Sequence, residues 1–65
     1  MIRVNGENLE NYEQKSIHDL ITDRHYDKTK IAVEKNGEIV PKSKYATSIL
    51  NDNDVLEIVT FVGGG

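Results

Sequence analysis

A chain of 65 residues with a net charge of −3 and an apolar fraction of 37% has room for one domain around one small hydrophobic core. It contains no cysteine, which excludes disulfides, thiolate metal sites and a cysteine nucleophile on this chain. Its 11 acidic and 8 basic side chains argue against general nucleic-acid binding, which needs a basic face.

In chain order, Ile2 and Val4 alternate with Arg3 and Asn5, the period-two pattern of a half-buried strand. This opening has neither the long apolar run of a signal peptide nor a membrane span, so the default expectation is a soluble, cytoplasmic protein that does not contact membranes. Asn5-Gly6 is a strong hairpin signal because both residues tolerate positive φ. The return strand is expected over residues 7–12, with Leu9 as its main apolar residue.

Ser16, with Asp19 three residues later, predicts a capping-box-like helix start. Ile17, Leu20 and Ile21 then form one apolar stripe at i, i+3 and i+4, and the helix is expected over residues 17–26. His18 and His25 fall off the stripe and are expected to be solvated; without further ligands they make no metal site.

Residues 30–35 predict a third strand with Ile31 and Val33 on one face and Ala32 and Glu34 on the other. Asn36-Gly37 repeats the hairpin signal, Glu38-Ile39-Val40 returns, and Pro41, lacking an amide donor, ends or edges that strand. Residues 43–50 allow a short helical turn, with Tyr45, Ile49 and Leu50 as expected anchors to the core. Asn51-Asp52-Asn53-Asp54 is a polar turn whose side chains can bond their own backbone.

The final strand is expected over residues 55–62 and is apolar on both faces: Leu56 and Ile58 on one, Val55, Val59 and Phe61 on the other. Such a strand belongs in the middle of a sheet. Its natural place is between the first and third strands, parallel to the first. A single helix between two hairpins must then cover one sheet face. This predicts an α+β, β-grasp architecture with four or five strands in a mixed sheet over residues 1–62. The predicted core includes Ile2, Val4, Ile17, Leu20, Ile21, Val33, Leu56 and Ile58.

Phe61-Val62-Gly63-Gly64-Gly65 carries the chemistry. Gly63, Gly64 and Gly65 are expected to form a flexible tail reaching roughly 10 Å when extended. A terminal triple glycine taken alone also fits a frayed chain end. A phosphate-cradling loop needs a helix after the glycines, and none follows here. With Gly65 as the last residue given, its α-carboxylate is the expected reactive group, presented on an arm that passes through a slot closed to any side chain. A carboxylate is a poor electrophile and must be activated, for instance as an adenylate. The sequence holds no phosphate loop or metal-ligand cluster of its own, so activation is expected from a partner and the chain is expected to be a carrier rather than an enzyme. Val55, Val59, Phe61 and Val62, on or beside the sheet face the helix leaves open, are the expected docking residues for that partner.

The sequence resembles the small sulfur carrier family of thiamine biosynthesis, whose members are ubiquitin-like β-grasp proteins. The resemblance runs along essentially the whole chain. It is carried by Asn5-Gly6, Ile17-His18-Asp19-Leu20-Ile21, residues 32–42 including Ile39-Val40-Pro41-Lys42, Asp52-Asn53-Asp54 with Val55-Leu56-Glu57-Ile58, and the terminal glycines. Two departures stand out. Asn53 occupies a position usually held by glycine, which asparagine can replace in a left-handed turn. Lys42 stands where arginine is common, which puts a planar bidentate contact in doubt.

The resemblance implies a cycle. An adenylyltransferase similar to ubiquitin-activating enzymes adenylates Gly65 with ATP and magnesium, a cysteine-derived sulfur donor converts the adenylate to a thiocarboxylate, and thiazole synthase uses that sulfur to build the thiazole ring of thiamine. Three other functions remain open at this point: a protein modifier conjugated through Gly65, a carrier like the molybdopterin-synthase small subunit, and a structural binding module with an idle tail.

Overall fold

The computed structural model describes residues 1–61. Its framework is two hairpins built on the same local chemistry. Strand β1 (Ile2–Val4) turns into β2 (Glu7–Leu9) through Asn5 at φ 50° and Gly6 at φ 82°, and β3 (Ile31–Lys35) turns into β4 (Glu38–Val40) through Asn36 at φ 52° and Gly37 at φ 86°. Two consecutive positive-φ residues make a turn whose twist matches that of the flanking strands, and Asn-Gly adopts it at little cost.

Between the hairpins lies α1 (Ile17–Asp23). Ser16 Oγ accepts from the Asp19 amide at 3.0 Å while an Asp19 carboxylate oxygen accepts from the Ser16 amide at 3.2 Å, a reciprocal cap that satisfies two donors at the helix start. The helix is shorter than the expected span of residues 17–26. Its end is set by His25, which takes a left-handed φ of 63°. The Tyr26 amide donates to the Ile21 carbonyl at 2.9 Å and the His25 amide to the Thr22 carbonyl at 3.2 Å, the paired bonds of a Schellman closure. Tyr26 is thereby turned back against the core.

The last strand, β5 (Val55–Thr60), takes the centre of a five-stranded sheet in the order β2-β1-β5-β3-β4. It runs parallel to β1 and antiparallel to β3, as expected for a strand apolar on both faces. This is the β-grasp arrangement. Ile2, Val4, Leu9, Ile31, Val33, Leu56 and Ile58 of the sheet close on Ile17, Leu20 and Ile21 of the helix. All eight residues predicted as core are buried, joined by Leu9, Ile31, Tyr45 and Leu50.

Two strands also end short of the expected spans, and one expected core anchor faces outward. Strand β2 stops at Leu9 rather than residue 12, because Asn11 (φ 72°) leaves the extended region. Strand β5 stops at Thr60, although the Phe61 amide still donates to the Lys30 carbonyl at 2.7 Å; Val62 lies outside the described residues. Ile49 is exposed rather than a core anchor. It forms a bridge with Ser16, and neighbouring residues on extended backbone point to opposite sides, so only Leu50 turns inward. The helical turn expected within residues 43–50 is a 3-10 turn at Lys42–Lys44, and the Asn51–Asp54 turn closes through the Asp54 carboxylate accepting from the Asn51 amide at 2.8 Å. Asn53 sits at φ 73°, the left-handed geometry expected of it.

Candidate functional site: the open sheet face and the end of β5

With α1 on one side, the sheet has a second face that nothing covers among the described residues. Strand alternation sends Leu56 and Ile58 inward and Val55, Glu57 and Val59 outward. Val59 is 56% exposed and Phe61, one residue past the strand, 50%. Val55, Val59 and Phe61 are thus brought to one surface, as the sequence pattern predicts. The other expected site residues, Val62, Gly63, Gly64 and Gly65, lie outside the described residues.

The sheet register adds residues that sequence reasoning did not assign to this surface. Ala32 pairs with Val59, and Glu34 pairs with both Glu57 on β5 and Ile39 on β4. Ile39 is the most exposed large apolar residue of the described chain at 66%. A usable signal for it was present: the two-residue Asn36-Gly37 turn forces Glu34 opposite Ile39. The Glu34–Glu57 pairing had no such signal, because it depends on how β3 aligns with β5, and these strands are distant in sequence.

Two asparagine side chains fix β5. Asn5 Nδ2 donates to the Ile58 carbonyl at 3.1 Å and Asn5 Oδ1 accepts from the Ile58 amide at 2.7 Å, so the first turn extends the β1–β5 ladder with its side chain. Asn36 Oδ1 accepts from the Val55 amide at 2.9 Å, and its Nδ2 donates to Asp54 at 3.0 Å. The residues that shape the hairpin turns therefore also position the strand that leads to the terminal glycines.

Around the end of β5, Asp27 caps the 3-10 turn Lys28–Lys30 by accepting from the Thr29 amide and hydroxyl at 2.9 and 2.7 Å. Those bonds hold its carboxyl below the usual aspartate value. Lys42 Nζ donates to the Ile31 carbonyl at 3.1 Å, a single-point contact that a lysine can make without a planar guanidinium. At the other end of β5 an open cleft of about 310 Å³ is lined by Met1, Ile2, Arg3, Asn8, Asn53, Asp54 and Val55. Beside it the Met1 ammonium contacts Asp52 and Glu13; these hydrogen bonds raise the amine above its ordinary value and lower both carboxyls. His18 and His25 are exposed, and among the described residues no cluster of His, Asp or Glu has metal-binding geometry. No helix among these residues is long and apolar enough to cross a membrane.

Residues 1–65 match the ThiS family along their whole length. The chain belongs to the ThiS family. A relative named sulfur carrier protein ThiS, from Bacillus subtilis, is 38% identical over 66 residues, with both chains fully covered. A relative named thiazole synthase, from Paramagnetospirillum magneticum, is 47% identical over 62 residues; the match takes in 95% of this chain and spans only 19% of that protein's length. Among solved structures, the thiamine biosynthesis protein ThiS from Geobacter metallireducens superposes with a TM-score of 0.79 at 25% identity, covering 98% of this chain and 97% of its own. The ThiS family is thus a family of thiamine-biosynthesis sulfur carriers with a ubiquitin-like β-grasp fold, and this small chain shares both the family and the fold.

Proposed function

We propose that this protein carries sulfur on the carboxylate of Gly65 for assembly of the thiazole ring of thiamine. The observation that carries the proposal is the end-to-end match to the Bacillus sulfur carrier protein, with no part of either chain left over. The fold supports it: β5, clamped by Asn5 and Asn36, is the central strand of the sheet and precedes the glycines in sequence. In the proposed cycle the Gly65 carboxylate attacks the α-phosphorus of magnesium-bound ATP on an adenylyltransferase, releasing pyrophosphate. Cysteine-derived sulfur at the sulfide level, delivered as hydrosulfide, then attacks the acyl carbon and displaces AMP, leaving a thiocarboxylate. Thiazole synthase takes the sulfur; support for this partner comes from the matching stretch within the Paramagnetospirillum protein of that name. The chain itself supplies the acyl group and the docking surface and performs no catalysis.

The test is ATP–pyrophosphate exchange with the cognate adenylyltransferase. Wild-type protein supports exchange. Adding one residue after Gly65 places the reacting carbonyl in an amide and abolishes it. Deleting Gly65 leaves a carboxylate about 3.5 Å short and lowers the rate by orders of magnitude. Gly64→Val melts like wild type yet blocks entry to the active site. Normal exchange by the extended chain would remove the terminal-carboxylate mechanism. Intact mass of protein from thiamine-starved cells separates a carrier, in which one oxygen is replaced by sulfur, from a modifier found as isopeptide adducts.

A further inference from the structure

Asn36-Gly37 joins a turn to a latent reaction. An asparagine side-chain amide is open to attack by the next backbone nitrogen, which makes asparagine a thermally labile residue. A following glycine favours the attack, because it has no side chain to shield that nitrogen. Asn36 and Gly37 are both exposed, and nothing lies within 4 Å of where a Cβ on Gly37 would sit, so water reaches the turn freely. The Asn36 side-chain amide is nevertheless held at both ends. Its Oδ1 accepts from the Val55 amide at 2.9 Å and its Nδ2 donates to the Asp54 carboxylate at 3.0 Å. The Asn36 backbone amide adds a third tie, donating to the Val55 carbonyl at 2.8 Å. Asp54 is buried, and its second carboxylate oxygen accepts from the Asn51 amide at 2.8 Å. Attack by the Gly37 nitrogen expels Nδ2, so the bond to Asp54 has to break before the reaction completes.

We propose that Asn36-Gly37 is a deamidation site, restrained in the folded domain by the bonds to Val55 and Asp54, and that its product loosens the junction between the second hairpin and the start of β5. The Gly37 nitrogen attacks Asn36 Cγ and a C–N bond forms. The side-chain nitrogen leaves as ammonia, carrying off the Gly37 amide proton, and a cyclic imide remains. Water then opens the imide at either carbonyl, without oxidation or reduction. Opening at the side-chain carbonyl gives aspartate. That product sets a carboxylate where Nδ2 had donated, facing the Asp54 carboxylate at hydrogen-bond distance in a part-buried setting, where like charges repel. Opening at the main-chain carbonyl gives isoaspartate. That product adds a methylene to the backbone of a two-residue turn and displaces the Lys35–Glu38 pairing beside it. Asn5-Gly6 is the same dipeptide, but Asn5 Nδ2 donates to the neutral Ile58 carbonyl, so its deamidation creates no pair of charges.

The experiment incubates wild-type protein at neutral pH, folded and in denaturing urea, and peptide mass mapping follows the replacement of nitrogen by oxygen at Asn36. The folded protein is expected to react roughly tenfold or more slowly than the unfolded chain, because the reaction waits on local opening of the turn. Equal rates in the two states would overturn the restraint. Thermal melts then test the consequence. Asn36→Asp copies the aspartate product with a residue that also tolerates a φ of 52°, and it is expected to melt below wild type. Adding Asp54→Asn returns a donor to the pair and leaves an amide oxygen to accept from Asn51, so the double variant is expected to recover most of the loss. Asp54→Asn alone completes the cycle. A melting temperature of Asn36→Asp equal to wild type, or no recovery in the double variant, would overturn the charge conflict. Should Asn36→Asp fail to fold, the double variant carries the same test: its folding supports the conflict, and its failure to fold overturns it.

Discussion

The two faces of the sheet are built from similar residues and have opposite fates. On β5, Leu56 is fully buried, whereas Val59, three residues on, is 56% exposed. Apolar character does not decide between them, since both are aliphatic residues on the same central strand. The difference comes from supply: one seven-residue helix covers one face, and the 3-10 turns at Lys28–Lys30 and Lys42–Lys44 contribute no buried residue of their own. The covered face stabilises the domain, and the open face leaves its apolar side chains exposed.

The contrast breaks most visibly at the covered face. Leu20 is fully buried against the sheet, so Leu20→Ala should lower stability by about 2–5 kcal/mol through lost burial and an unfilled cavity. Against a typical total of about 5–15 kcal/mol for a domain, urea denaturation should show a large shift in midpoint. A shift no larger than that of a surface substitution would remove the distinction between the faces.

A smaller effect is expected at the link between β1 and β5. Asn5→Gly keeps a residue suited to φ 50° but removes both side-chain bonds to Ile58. The loss should be about 1–3 kcal/mol, since a part-buried backbone amide and carbonyl lose their partners. Hydrogen exchange at the Ile58 amide should accelerate more than at Val33.

Next in size is the helix cap. Ser16→Ala removes the acceptor for the Asp19 amide and should cost about 0.5–2 kcal/mol in chemical denaturation. Restoration by Ser16→Thr sharpens the assignment to the cap rather than to packing.

The smallest change in stability is predicted where the sequence is apolar but the face is open. Phe61→Asp should alter stability by no more than about 0.5 kcal/mol, while weakening adenylation by the partner enzyme. Unfolding of the isolated Phe61→Asp protein would make Phe61 a core residue and abolish the docking role.

The pH dependence should follow charged groups at the sheet's ends. Asp27, Glu13 and Asp52 have lowered carboxyl values, so their contribution is present above the ordinary values of 3.8 and 4.5 and disappears as pH falls through the lower folded values. The Met1 ammonium has a raised value, so its contribution is present below the ordinary 8.0 and disappears as pH rises through the folded value. Melting temperature against pH should therefore form a plateau between these limits, and Asp52→Asn should shallow both shoulders.

Much of the architecture was written locally. Asn5-Gly6 and Asn36-Gly37 specify positive-φ turns, Ser16 with Asp19 specifies a helix start, and the Ile17, Leu20, Ile21 stripe specifies which helix side is buried, because each depends on residues within four positions. The central place of β5 was legible because a strand rich in apolar residues on both faces is usually flanked by strands on both sides rather than left at an edge. Family membership was legible from residues spread along the whole chain. What the tertiary structure decided depends on contacts between distant segments. His25, a polar residue with no glycine signal, ends the helix by turning Tyr26 onto the core. Ile49 faces outward because its bridge to Ser16 assigns the inward direction to Leu50. Glu34 meets Glu57 only through the β3–β5 register, which is set by the packing of Ile31, Val33, Leu56 and Ile58 beneath the sheet, and periodicity along either strand alone carries no information about that alignment.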